Sequence, residues 1–169
     1  ASFPMVMSDA RGDWSFVGAR LEMGGSMRVA DAVEPERFYP LVSNDFRLSL
    51  ENNQIEAGGW LTDPETGTRV TQVAIEHGHG SGRGEASLDV PGIRFELDGY
   101  QPDQLTRLTT GVVALVDGTL KGQGRIAWGP DGVTSTGTFS TDDMDLAAPF
   151  GPVTGLTTTI NFTDLLGLV

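Results

Sequence analysis

The chain has 169 residues, enough for one domain with a sizeable buried core. It has no cysteine, which excludes disulfide bonds, thiolate metal sites and a cysteine nucleophile. Its formal net charge of −12 repels nucleic acids and anionic membrane surfaces, so docking to either by charge is not expected. No apolar run reaches the roughly 20 residues of a membrane span, and no signal-peptide pattern is present. We interpret residues 1–169 as a single segment excised from a longer protein, because the chain opens on Ala1 and stops within an apolar run.

One segment before residue 46 has the weakest pattern in the chain. Residues 27–45 contain two prolines and several charges, and we expect them to form a connection with one helical turn around residues 34–39.

From residue 46 onward, apolar and polar residues alternate in short segments, as in strands with one apolar face. Turn sequences separate most of these segments. Consecutive strands joined by short turns are antiparallel neighbours. The predicted fold class is therefore all-β: a strongly curved antiparallel meander sheet, or β-groove, with one or two short helices. The predicted turns are residues 51–54, 63–67, 89–92 and 129–132.

The stretch EHGHGSGRGE, residues 76–85, has glycine at every second position. It lacks the lysine and the helix start of a phosphate-binding loop. We predict that it continues one strand with a bare face, where the sheet bends sharply. His77 and His79 have the His-x-His spacing of a cupin metal site, with Glu85 as a possible further ligand. The other positions of the cupin pattern do not match, so no metal is predicted.

Two short helices are predicted after the central strands. Residues 102–108 have proline and aspartate in a first turn and leucines three positions apart. Residues 162–166 have Thr163 or Asp164 as a possible N-cap. The acidic group Asp142, Asp143 and Asp145 lacks the EF-hand pattern, and a bend in a strand explains it more simply than calcium does.

The aromatic residues allow two interpretations. Trp14, Trp60 and Trp128, together with Phe16 and Phe95, could form a carbohydrate platform. Several of them lie in alternating apolar segments, which favours a core or a groove lining instead.

The C-terminal part, about residues 99–169, carries a family resemblance. It depends on Gly118-Thr119-Leu120-x-Gly122-x-Gly124-x-Ile126-x-Trp128, Gly137, Asp145-Leu146-Ala147-Ala148-Pro149, Gly151-Pro152-Val153-x-Gly155-Leu156 and Ile160-x-Phe162-Thr163-Asp164-Leu165. These residues resemble the C-terminal part of the YdbH-like family, which is related to the AsmA and TamB proteins of Gram-negative bacteria.

The resemblance implies a non-enzymatic part of a periplasmic protein that is anchored in the inner membrane and conducts phospholipid toward the outer membrane. The family also carries the label "dicarboxylate transport". No catalytic residue and no cofactor is implied. The implied partners are phospholipid and, beyond it, neighbouring β-segments of the same long chain or an outer-membrane partner.

A lipid-conducting groove needs an apolar lining, and the alternation supplies candidates. The same side chains could instead pack on one another as a closed core. A β-sandwich or β-solenoid binding module for carbohydrate or a protein partner is the alternative function, and a histidine-metal β-barrel enzyme is a third. The candidate lining residues are Phe46, Leu48, Leu50, Ile93, Phe95, Leu97, Ile126, Trp128, Met144, Leu146, Ile160 and Phe162.

Overall fold

The computed structural model describes residues 4–167, and these form one nine-stranded sheet. The strands follow one another in chain order and every neighbouring pair is antiparallel, so the sheet is the predicted meander. The strands are β1 (Met5–Val17), β2 (Arg20–Asp31), β3 (Leu41–Glu51), β4 (Gln54–Thr62), β5 (Arg69–Gly78), β6 (Arg83–Phe95), β7 (Ala114–Gly129), β8 (Gly132–Ala148) and β9 (Gly151–Phe162).

Short turns join most of the strands, and their residues explain the geometry. Asn52 and Asn53 both adopt positive φ, 49° and 61°, as a two-residue hairpin turn between β3 and β4 requires. Asp63 accepts backbone hydrogen bonds from Glu65 and Thr66, which fixes the turn between β4 and β5. The predicted turns at residues 51–54, 63–67 and 129–132 are therefore confirmed.

The two faces of the sheet differ in chemistry. Leu48, Ala57, Ile75, Ala86 and Ile126 are successive cross-strand partners from β3 to β7 and share what we call the apolar face. Because side chains alternate along a strand, the next residues point the other way. That opposite surface, the polar face, carries the cross-strand row of Glu56, Glu76 and Glu85.

The sheet curls around its apolar face. Met5 in β1 packs against the cluster formed by Ala86, Ile126 and Trp128 in β6 and β7. In a flat sheet, β1 and β6 would be five strand spacings, about 24 Å, apart. The first three strands all contain bulges, a feature that bends strands. A Cβ on Gly12 would lie 1.9 Å from the carbonyl oxygen of Gly24, so β1 and β2 approach too closely there for any other residue.

Two connections close one end of the curled sheet. We call residues 32–40 and 96–113 together the end cap. The second contains helix α1 (Pro102–Leu105) and a 3₁₀ turn (Arg107–Thr109), which confirms the predicted helical segment. Arg107 Nε donates to the carbonyl oxygen of Glu36 at 2.6 Å, and Tyr39 N donates to that of Leu105 at 2.9 Å. Neither helical element is long and apolar enough to cross a membrane, and residues 4–167 contain no other helix.

Five local predictions were wrong. The predicted connection over residues 27–45 is limited to residues 32–40, because β2 runs to Asp31 and β3 begins at Leu41. Residues 76–85 form a hairpin, with β5 ending at Gly78 and β6 beginning at Arg83, rather than one strand. Residues 89–92 lie inside β6 as a bulge rather than as a turn. Residues 162–166 and 34–39 contain no helical turn.

Candidate functional site

The apolar face is the candidate site, and it is most tightly packed near the end cap. Ile93, Phe95 and Met144 are buried there in one cluster. The rings of Phe95 and Tyr100 stack at a centroid distance of 5.9 Å. The Tyr100 hydroxyl donates to Asp63 Oδ2 at 3.0 Å, and burial, together with the Asp63 carboxylate, raises the pKa of Tyr100. This end of the face is a closed core.

Glycines form the floor in the middle of the apolar face. A Cβ on Gly84 would lie 2.4 Å from Trp128 Cζ2, and one on Gly122 would lie 2.4 Å from Phe139 Cδ1. Each glycine is the cross-strand partner of the aromatic residue that lies over it. The glycines therefore let large side chains from the neighbouring strand lie flat on the sheet.

The indole of Trp128 is fixed by His77. Trp128 Nε1 donates to His77 Nδ1 at 3.2 Å, and the two rings stack at 6.0 Å. His79 lies in the turn after β5, so the two histidines do not share a strand face. No group of three possible metal ligands occurs within residues 4–167. His77 thus supports the packing of an aromatic side chain.

The side chains of the apolar face become more exposed toward β1. Trp14 and Phe16, on the apolar face of this edge strand, are 65% and 66% exposed. Their rings make an edge-to-face contact at 5.7 Å. Met23, the cross-strand partner of Trp14, is 40% exposed. An uncovered apolar surface therefore continues the buried cluster.

A narrow gap separates β1 from the middle of the sheet. Met5 and Met7 line one side, and Ala86 and Leu88 line another. The volume of the gap is about 40 Å³, enough for two or three water molecules and far below the several hundred Å³ of an ordinary ligand pocket. In this structure the two sides of the curled sheet almost touch.

The C-terminal segment lies on the same face. Residues 163–167, which we call the strap, follow β9 and fold back over β7 and β8. Leu166 packs against the cluster of Ala86, Ile126 and Trp128. The strap covers part of the face that the strands would otherwise leave open.

The predicted groove residues are distributed along the whole apolar face. Ile126 and Trp128 are buried, Phe46, Leu48 and Leu50 are half-buried, and Ile160 is 49% exposed. Leu97 differs from the rest, because β6 ends at Phe95 and Leu97 lies in the following turn with 55% of its surface exposed. The contact of these residues with lipid stays a prediction.

Several apolar-face residues were missed by the sequence reasoning. Val73, Ile75 and Leu88 lie in segments whose alternation was recognised, so the signal was present and was not used. Met5 and Met7 carry the same alternation, but the β1 bulge after Ser8 interrupts it. The contact of Leu166 with the cluster of Ala86, Ile126 and Trp128 carries no sequence signal, because it joins parts of the chain that are distant in sequence.

The predicted alternatives fit the structure poorly. Trp60 lies on the polar face, where Arg69 stands 4.8 Å above its ring, whereas Trp128 lies on the apolar face. The aromatic residues therefore do not form one carbohydrate platform. Residues 4–167 contain a single open sheet, which is neither a β-sandwich nor a solenoid.

Comparison with known proteins gives one match. Comparisons with curated proteins and with solved structures found none. The family model described as "YdbH-like: Intermembrane phospholipid transport protein YdbH" matches residues 2–169, which extends the resemblance from about residues 99–169 to nearly the whole sequence. This is a family of lipid transport proteins rather than of enzymes. The chain belongs to the YdbH-like family.

Proposed function

We propose that the apolar face shields the acyl chains of a phospholipid while the lipid passes between the inner and outer membranes. A diacyl lipid has about thirty methylenes, and exposing each of them to water costs about 0.8 kcal/mol. A carrier in water must therefore cover most of that surface. The task requires a continuous apolar surface and no bond-breaking chemistry, in keeping with the family's description.

The observation that carries this proposal is the continuity of the apolar face from the buried cluster to the uncovered aromatic residues of β1. Monomeric soluble proteins rarely leave a large apolar patch unoccupied. Trp14, Phe16 and Met23 extend the core of this chain into solvent on one face of the sheet. An acyl chain lying along that face would cover them and would rest against the side chains over the glycine floor.

Lipid entry requires the sheet to open, because the gap beside Met5 and Met7 is much smaller than an acyl chain. Within residues 4–167, β1 is an edge strand that pairs with β2 alone, so moving it breaks the backbone hydrogen bonds of one strand pair only, together with the packing of Met5 on β6 and β7. The glycines and bulges of β1 and β2 supply positions where the sheet can bend. We place the opening motion at β1.

We further propose that the chain works in the periplasm as one segment of a longer bridge-like protein, anchored in the inner membrane by another part. The family description, transport between membranes, supports this location. In that arrangement β1 and β9, the edge strands of the sheet, would adjoin neighbouring β-segments or an outer-membrane partner.

Native mass spectrometry of the protein, purified from bacteria without detergent, tests the proposal. Leu48→Asp places a charge on the apolar face of β3, and Ser49→Asp places the same charge on the polar face one residue away. We expect bound phospholipid with the unaltered chain and with Ser49→Asp, and little with Leu48→Asp. Thermal unfolding of both variants confirms that they fold. Lipid-free protein, or equal loading of both variants, would contradict the proposal.

A further inference from the structure

Ser135 makes most of the hydrogen bonds that hold the strap on the apolar face. Ser135 Oγ in β8 donates to Asp164 Oδ1 at 3.0 Å and accepts a hydrogen bond from Leu166 N at 2.8 Å. The carbonyl oxygen of Ser135 also accepts from Leu165 N, at 3.4 Å. Asp164 Oδ1 then accepts from Gly167 N, which closes the strap into a tight turn. These local bonds do not extend the sheet.

The side chain of Leu165 occupies a slot with a glycine floor. Gly124 and Gly137 are cross-strand partners in β7 and β8, and Leu88 is the partner of Gly124 on its other side. A Cβ on Gly124 would lie 3.2 Å from Leu165 Cδ2, and one on Gly137 would lie 3.3 Å from the same methyl group. Leucine fits the slot because both positions lack a side chain.

The end cap holds the strap from the opposite side. Arg37 Nη1 donates to the carbonyl oxygen of Leu166 at 2.7 Å. The pKa of Arg37 is raised by its hydrogen bond to Asp31, and the charge of Asp164 adds to that effect. Arg37 thus connects the strap to the part of the molecule that closes the curled sheet.

The strap is nevertheless only partly buried. Leu165 and Leu166 are only half-buried, and Asp164 is exposed. A short segment with half-buried apolar side chains and no strand pairing opens at a lower free-energy cost than the strands beneath it. Its displacement would uncover the surface over Gly124 and Gly137, which a leucine side chain now covers, without disturbing any strand pair.

We propose that the slot over Gly124 and Gly137 is a subsite for the end of a phospholipid acyl chain, and that Leu165 occupies it when no lipid is bound. Binding then requires the strap to leave, so the strap competes with lipid. This inference rests on the proposed function and adds to it a defined subsite and a built-in competitor. The ligand chemistry is a hydrocarbon chain, since the slot is lined by two glycines and Leu88, which offer no polar side chain.

Removing the competing side chains tests the inference. The probe is a lysophosphatidylethanolamine with a fluorescent acyl chain, used below its critical micelle concentration. The full chain carrying Leu165→Gly and Leu166→Gly should bind the probe about tenfold more tightly, as expected when a half-buried leucine no longer competes. The matched control is Leu115→Gly, since Leu115 is 63% exposed and has positive φ. Its affinity should equal that of the unaltered chain.

Locking the strap in place should have the opposite effect on probe binding. Ser135→Cys with Asp164→Cys introduces the only two thiols in the chain, and a short thiol crosslinker joins them. Crosslinking should weaken probe binding at least tenfold relative to the unaltered chain. The same protein without crosslinker should bind the probe at least as tightly as the unaltered chain, because both substitutions remove hydrogen bonds that hold the strap. Equal affinity of the locked, unlocked and glycine forms would overturn the strap inference while leaving the proposed function intact. No binding by any folded form would overturn both.

Discussion

Arg37 joins the first quarter of the chain to its C-terminal segment, because its Nη1 donates to the carbonyl oxygen of Leu166, 129 positions later. The same guanidinium donates from Nε and Nη2 to both carboxylate oxygens of Asp31, each at 2.6 Å. The Asp31 side chain is fully buried and that of Arg37 is 10% exposed. One bidentate ion pair therefore positions both the end cap and the strap.

Arg37→Met should lower the free energy of unfolding by about 3 kcal/mol, because it leaves the buried Asp31 carboxylate without its partner. Urea denaturation measures the loss. Adding Asp31→Leu to that variant should recover part of the stability, since both charges are then absent. A loss below about 0.5 kcal/mol in the single variant, the size of an exposed pair, would show that the pair is not buried in solution.

The ion pair of Asp31 with Arg37 also predicts that the free energy of unfolding depends on pH. Burial by itself would raise the pKa of Asp31, but hydrogen bonds from Arg37 and Val33 outweigh it and hold the pKa below its usual value of 3.8. The lowered pKa of Asp31 stabilises the folded chain. This stabilisation is fully present above pH 3.8, the pKa of the Asp31 carboxyl in the unfolded chain. It is lost as the pH falls through the lower pKa of the folded state. Asp31→Asn should therefore flatten the decline in unfolding free energy below about pH 4. Parallel declines in the two proteins would contradict this assignment.

Gly84→Ala should destabilise the fold by about 1–3 kcal/mol, because the new methyl group would overlap the indole of Trp128. A shift in tryptophan fluorescence should accompany the loss. Gly80→Ala is the matched control in the same hairpin, since no atom lies within 4 Å of its added Cβ. Equal stability of the two variants would show that Trp128 does not rest on Gly84.

Glu76→Gln should raise the stability by about 0.2–1 kcal/mol, because Glu76 stands directly between Glu56 and Glu85 on the polar face. The gain should shrink as salt is added, since exposed charges are screened. Thermal unfolding at low and high ionic strength measures both effects. Gln72→Glu, on the same strand and face but opposite Trp60 and Asp89, is the reverse charge change and should not stabilise.

Local patterns predicted much of the meander. The Asn52–Asn53 turn and the alternation on either side of it determine a hairpin without help from distant residues. The same reasoning missed β1 and β2, because bulges after Ser8 and Gly25 shift the alternation within each strand. Pro91 and Gly92 looked like a turn, although β6 continues through them as a bulge.

Contacts between residues that are distant in sequence explain the remaining differences between the predictions and the structure. The segment after Phe162 has a helix N-cap sequence, but Asp164 bonds to Ser135 and Gly167 instead, and no helical turn forms. The alternating glycines of residues 76–85 do not share one bare face, because a turn separates β5 from β6 and Gly84 is the cross-strand partner of His77 rather than of Gly78. The indole of Trp128, more than forty positions away in the sequence, fills the space that a side chain at Gly84 would occupy. Such pairings cannot be obtained from local propensity.

The central claim is that hydrocarbon lies on one face of this sheet, and site-specific photocrosslinking in cells tests it most directly. A photoreactive amino acid at Leu48 or Ile75 samples the apolar face, and at Ser49 or Ala74 it samples the polar face of the same strands. We expect phospholipid adducts from positions 48 and 75 and none from positions 49 and 74. Adducts that are absent, or equal on both faces, would contradict the account.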